Sequence, residues 1–206
     1  MIADMEGSVI ARSAARDSLR EATHDVHMRL HRHSSFAQLA AGTIEMAPYK
    51  MLLARLYGFH VPLETALVQA SSALGLEVEM DCRRRVHLLR DDLHSLQSTA
   101  AQIEALPRIA ALPSLTTCGR IVGTLYVREG ATLGGKILAR QLDGLLGAGL
   151  HGRLFLTGDP GEHGLWQRCC SLVEKVATDG NLDDMIQAAV ETFSALEAWL
   201  DEDQYR

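Results

Sequence analysis

The fold class this sequence predicts is all-α, in a single domain. Apolar residues recur at helical spacing almost throughout, and no stretch shows a convincing alternation of period two. Proline and glycine clusters punctuate the chain at intervals that leave helix-length segments between them. At 206 residues, with 47% hydrophobic and 22% charged residues, the chain can bury one substantial core.

The elements follow in order. Residues 1–14 read as a loose tail, and 15–206 as the helical domain. The opening MIADMEGSVIARSAARDS has early acids and no apolar run, so it is not expected to be a secretory signal. A first helix is predicted from Arg16 to His33. A second starts near Ala47-Pro48, where proline suits a first turn, and runs to Leu74. Pro62 should kink or interrupt it. A third runs from Asp81, a suitable N-cap, to Leu96. Pro107 and Pro113 bracket a connector. A glycine-bearing helix covers Ser114 to Leu142. The stretch DGLLGAGLHGRLFLTGDPGEHG is too rich in glycine for a continuous helix and reads as loop with a short turn. A helix from Glu162 to Thr178 follows. Asn181 or Asp183 caps a last one reaching Asp201.

The bulk numbers exclude several functions. A net charge of −6 argues against a nucleic-acid surface. No apolar run approaches the roughly 20 residues that span a bilayer. The four cysteines, Cys82, Cys118, Cys169 and Cys170, make no CxxC pair. They read as reduced, buried thiols of a cytoplasmic protein rather than a zinc or disulfide framework.

Two stretches stand out. In LYVREGATLGGKI, Gly123 just upstream and Gly130 and Gly134 within it share one narrow sector of the helix. Val127, Ile137 and Leu138 border that sector, whereas Glu129, Lys136 and Arg140 lie away from it. The glycine stripe is therefore expected to be buried. Interior glycine weakens a helix by about 0.5–1 kcal/mol relative to alanine, so the bare backbone needs a reason. Either another helix or a flat ligand comes close. In LREATHDVHMRLHRHSS, the apolar stripe is Leu19, Ala22, Val26 and Leu30. His24 and His31 lie off it, on the solvent side. His27 borders it, one turn after Thr23, and His33 lies on it near the helix end. Periodicity does not choose between His27 and His33.

The pair LREATHDVH and LYVREGATLGGKI resembles the α-helical heme oxygenases, with wording closest to bacterial members. The resemblance covers most of the chain beyond the tail and implies a heme-oxygenase-like helical bundle. It implies that heme is both cofactor and substrate. With dioxygen and electrons from a reductase or ferredoxin, the ring is opened to biliverdin, carbon monoxide and ferrous iron. His27 is implied as the axial ligand of iron, with Thr23 also at the cofactor. Gly130, Gly134 and Gly135 are implied as the distal segment. The first two give close backbone approach to bound dioxygen, and Gly135 eases a bend. Arg20 matches a basic residue two turns before the axial histidine and is implied at the heme propionates, with Arg128, Arg168 and Lys136 as further cations. Many members carry aspartate directly after the first distal glycine; here that position is Ala131, so proton delivery must come from another residue or from water.

Three rival readings stand beside this one. A heme-carrying protein without turnover is favoured by Ala131. A di-iron carboxylate protein would use Glu21, His24, Asp91 and His94, with Glu191 and Glu197 from the last helix. A thiaminase-like enzyme would need an activated thiol among Cys118, Cys169 and Cys170.

Overall fold

The structure is a computed structural model that describes residues 3–158 and 164–201, with side chains from residue 14 onward apart from residue 179. Every regular element among the described residues is helical: α1 (Ala3–Arg32), α2 (Ser34–Ala40), α3 (Met46–Ala73), α4 (Met80–Arg83), α5 (Val86–Ser95), α6 (Ala100–Glu104), α7 (Cys118–Arg140), α8 (Asp143–Leu146), α9 (Leu154–Thr157), α10 (Leu165–Val176) and α11 (Leu182–Asp201). The all-α prediction holds.

Helix α7 is the centre of the bundle, packed on α11, α10, α9 and α3. Helix α1 packs on α11 and α10, and α3 packs on α5. The backbone of α1 is helical from Ala3, ahead of the start at Arg16 that periodicity suggests. Its stripe holds at Leu19, Val26 and Leu30, which are buried, but not at Ala22, which is exposed. Helix α3 buries Tyr49, Leu52, Leu53, Leu56, Tyr57, Phe59, Leu63 and Leu67, which is why it serves two neighbouring clusters at once.

Four expectations need correction. Pro62 does not interrupt α3, which runs on to Ala73. Proline has no N–H to give the Gly58 carbonyl four residues earlier. The Ile109 amide, from the connector, takes that carbonyl instead at 3.2 Å. The orphan acceptor is satisfied and the helix survives. Second, the helix expected from Asp81 to Leu96 is broken at Arg84–Arg85. Glu64 of α3 explains the break, since its carboxylate accepts the Arg85 amide at 2.7 Å and the Val86 amide at 3.2 Å. An acceptor from another helix thus caps α5. Third, Thr99 and Gln102 form a capping box that starts α6, an element not predicted.

Fourth, neither Asn181 nor Asp183 opens a free helix end. A π-turn, Ala177–Asn181, carries the chain from α10 into α11, with Gly180 at φ 77°. The expected start of the preceding helix at Glu162 lies outside the described residues. The glycine-rich stretch forms two helical turns, α8 and α9. Arg153 binds it together by donating to the carbonyls of Ala139 at 2.7 Å and Gly147 at 2.5 Å. Asp92 accepts the Leu154 and Phe155 amides at 2.7 and 2.9 Å, capping α9.

Candidate functional site

The glycines of α7 do not share one environment. A Cβ on Gly119 would lie 2.9 Å from the Asn181 and Asp184 β-carbons. On Gly123 it would overlap the Met185 carbonyl. Both glycines therefore let α7 and α11 come together backbone to backbone. At Gly135 a Cβ would sit 2.7 Å from the Leu156 carbonyl oxygen, so this glycine serves the contact with α9. At Gly130 it would meet only the Trp166 ring, at an ordinary 3.5 Å. At Gly134 it would meet nothing within 4 Å. The expectation of one buried stripe is corrected: it is buried where α11 lies over it and open at Gly134, past the reach of α11.

Helices α1 and α7 share an apolar cluster at one level. Ala15 and Leu19 belong to it with Val122, Val127, Met185 and Ala189. His27 lies two turns after Leu19 along α1, and Gly130 and Gly134 lie one and two turns after Val127 along α7. Phe193 of α11 lies against His27, ring centroids 5.6 Å apart. Three large apolar side chains on these stretches stand exposed: Met28 on α1, and Leu133 and Ile137 on α7. Ile137 was expected at the edge of a buried face and is 64% exposed.

His27 itself is exposed, with its Nε2 3.1 Å from Nε2 of His31. Its covered part lowers its pKa, and the neighbouring His31 and His24 lower it further. The ring is therefore neutral at neutral pH, the form that can ligate a metal. Thr23 is buried, and its hydroxyl donates to the Leu19 carbonyl at 2.7 Å. His33, the alternative that periodicity left open, reaches Asp201 at 3.6 Å and the Phe36 ring.

The chain matches the family model described as heme oxygenase over residues 13–202. It belongs to the heme oxygenase family. No curated protein matches the chain. Among the described residues, no helix is long and apolar enough to cross a membrane.

Within that family frame, the cations expected at the cofactor part company. Arg20 is exposed on α1, two turns before His27. Its charge acts on Tyr126: burial and the neighbouring Cys170 push the Tyr126 phenol up, and Arg20 pulls it back. Tyr126 in turn packs against Trp166, the ring that covers Gly130. Arg128 is elsewhere. It is 3% exposed and donates to the Glu64 carboxylate and the Arg83 carbonyl. Glu129, expected toward solvent, is also buried, 3.3 Å from Arg83 and 3.6 Å from Arg128. Two guanidiniums thus neutralise two carboxylates inside the bundle, where an unpaired charge would be far more costly. Arg168 is exposed and paired with Glu79 at 2.9 Å. Lys136 is exposed in a cleft of about 610 Å³ that also includes Thr132, Leu133, Arg140 and Trp166 but neither His27 nor Gly134.

The rival sites are not assembled. Among the described residues no group of three His, Cys, Asp or Glu comes together to hold a metal. Glu191 is paired with Arg120, Glu197 with Arg29, and the His94 ring faces the Ser98 carbonyl. Burial pushes the Cys169 thiol up to about 12, the reverse of an activated nucleophile. Of the four cysteines expected to be buried, Cys169 and Cys170 are, Cys118 is half-buried and Cys82 is exposed. Sequence reasoning missed Trp166, Phe193 and Tyr126, since single aromatics on a helix carry no spacing signal.

Proposed function

We propose that the chain binds heme between α1 and α7, with His27 as axial ligand of the iron, and oxidises it to biliverdin, carbon monoxide and ferrous iron. Dioxygen is the co-substrate, and a reductase or ferredoxin supplies the electrons. Membership of the family supports the class of reaction. The observation that carries the site is Gly134. Helix packing accounts for Gly119, Gly123 and Gly135, but a side chain at Gly134 would meet nothing. Glycine in mid-helix gives up about 0.5–1 kcal/mol relative to alanine, and bare backbone beside open space leaves room for a flat ligand to come close.

The residues present fit the group. His27 offers a neutral imidazole on an exposed helix face, and Met28 and Ile137 offer apolar surface that the protein leaves uncovered. Arg20 places a cation two turns before His27, suited to a carboxylate of the ligand. When bound, heme supplies the dioxygen chemistry and the carbon that is oxidised. The chain supplies the rest. Gly130 and Gly134 let α7 approach the ligand closely, and Trp166 over Gly130 limits the space on that side. Arg128 and Glu129 hold α7 against α3 and α4 and leave the ligand to Arg20. Gly135 fixes α7 on α9.

Proton supply is where this chain departs from its relatives' pattern. Ala131 carries no acid, Thr132 donates its hydroxyl to the Glu129 carbonyl at 2.7 Å, and the Glu129 carboxylate is turned into the buried network. Protons then come through water. The same departure favours a second reading, in which the protein carries heme without oxidising it.

Hemin-loaded protein supplied with ascorbate, or with a ferredoxin and its reductase, in air separates the two. Conversion of the Soret band to a biliverdin spectrum is the expected result. A Soret band that persists with several competent reductants would establish carriage and set the oxygenase reading aside.

A further inference from the structure

We propose that His27 and His31 form a chelating site for a divalent transition-metal cation of the zinc, nickel or copper class, and that this cation competes with heme for His27. The metal site stands on geometry alone; the competition also rests on the heme reading above.

His27 and His31 lie four residues apart on α1, so both rings project from the same face. Their Nε2 atoms are 3.1 Å apart. Two imidazole nitrogens bound to one zinc ion at about 2.0–2.1 Å are separated by about 2.9 Å at a right angle and about 3.3 Å at the tetrahedral angle. The observed spacing falls inside that range without any movement of the helix. The ring centroids are 4.5 Å apart, farther than the nitrogens, so the Nε2 tips lean toward one another. A cation there replaces the one proton the two nitrogens now share. The histidine that holds that proton moves it to Nδ1, so both Nε2 lone pairs face the metal.

The surroundings suit a bound cation. Both rings are exposed, so water can complete the coordination shell. Phe193 supports the His27 ring from α11. Imidazole is a good ligand for zinc, copper and nickel, and a helix holds two of them at a fixed separation before the metal arrives. His24 shares this face but lies seven residues before His31, about 10 Å away along the helix axis, and the close ring contact is between His27 and His31. The consequence is exclusion: Nε2 of His27 can serve the cation or heme iron, not both.

The test uses the untagged full chain and zinc chloride. Zinc is titrated by competition with a chromophoric chelator into wild type, His31→Gln and His24→Gln, and circular dichroism confirms that each variant is folded. The expected result is one zinc per wild-type chain at this site, with affinity reduced by roughly tenfold or more in His31→Gln, because one arm of the chelate is gone, and unchanged in His24→Gln. Hemin titrations with and without saturating zinc should show weaker hemin binding in wild type only. Equal zinc affinity in wild type and His31→Gln would overturn the metal site. Unchanged wild-type hemin affinity in saturating zinc would overturn the competition. If hemin fails to bind even without zinc, the heme reading fails, and the zinc titration still decides the chelate.

Discussion

Replacing two glycines of one helix by alanine should have opposite effects on stability. In Gly134→Ala the new methyl meets nothing within 4 Å. The full helix-propensity gain of alanine over glycine, about 0.5–1 kcal/mol, should then appear as added stability of the heme-free protein. In Gly123→Ala the methyl overlaps the Met185 carbonyl, lying 2.8 Å from its carbon and 3.0 Å from the Met185 Cα. Those atoms are backbone of α11 and cannot rotate away, so the helices must separate. Overpacking of this kind costs about 1–3 kcal/mol, which outweighs the propensity gain. Urea unfolding of the two heme-free variants should therefore differ by about 1–3 kcal/mol, equivalent to several degrees in Tm for a domain of this size. The stabilised Gly134→Ala should nonetheless oxidise hemin more slowly, because its methyl occupies space assigned to the ligand. A loss of stability in Gly134→Ala would refute the open environment. Normal hemin turnover by a bulky Gly134→Leu variant would refute the assignment of that space to heme.

Other outcomes follow from the same geometry. Arg128→Met strands Glu64 without its buried partner and should lower stability by about 3–5 kcal/mol in urea titration, as breaking one half of a buried pair does. Arg20→Ala should leave stability nearly unchanged and weaken hemin binding a few-fold, an exposed ion pair being worth about 0.2–1 kcal/mol. His60 is buried beside Arg128 and Arg85. Burial holds its pKa well below 6.5, with the two cations adding, and its Nδ1 has no hydrogen-bond partner. Since the unfolded chain takes up the proton first, stability from neutral His60 is present above about pH 6.5 and falls as the pH drops below it. His60→Phe should flatten that acid limb, and subtracting its pH–stability curve from the wild-type curve isolates the effect.

What was legible in the sequence is what depends on local pattern. Pro48 in a first turn, the stripe of Leu19, Val26 and Leu30, and the shared sector of Gly123, Gly130 and Gly134 are all properties of one helix. What was not legible depends on partners distant in the chain. The break before α5 is made by Glu64, 21 residues upstream of Arg85. Pro62 is tolerated because Ile109, in a separate connector, takes the freed carbonyl. Glu129 looks like a solvent residue on a helical wheel, yet it is buried because Arg83 and Arg128 reach it. The glycine sector was placed correctly, but its neighbour changes from α11 to Trp166 to open space within three turns, and no single-helix pattern encodes that. The distinction between Arg20 at the surface and Arg128 in the interior was not legible either.

The central claim is that His27 ligates heme iron, and optical titration of hemin into wild type and His27→Ala tests it most directly. The account predicts a Soret band in wild type that is lost or strongly shifted in the folded variant, and restored when free imidazole is added. An identical Soret band in His27→Ala would contradict it.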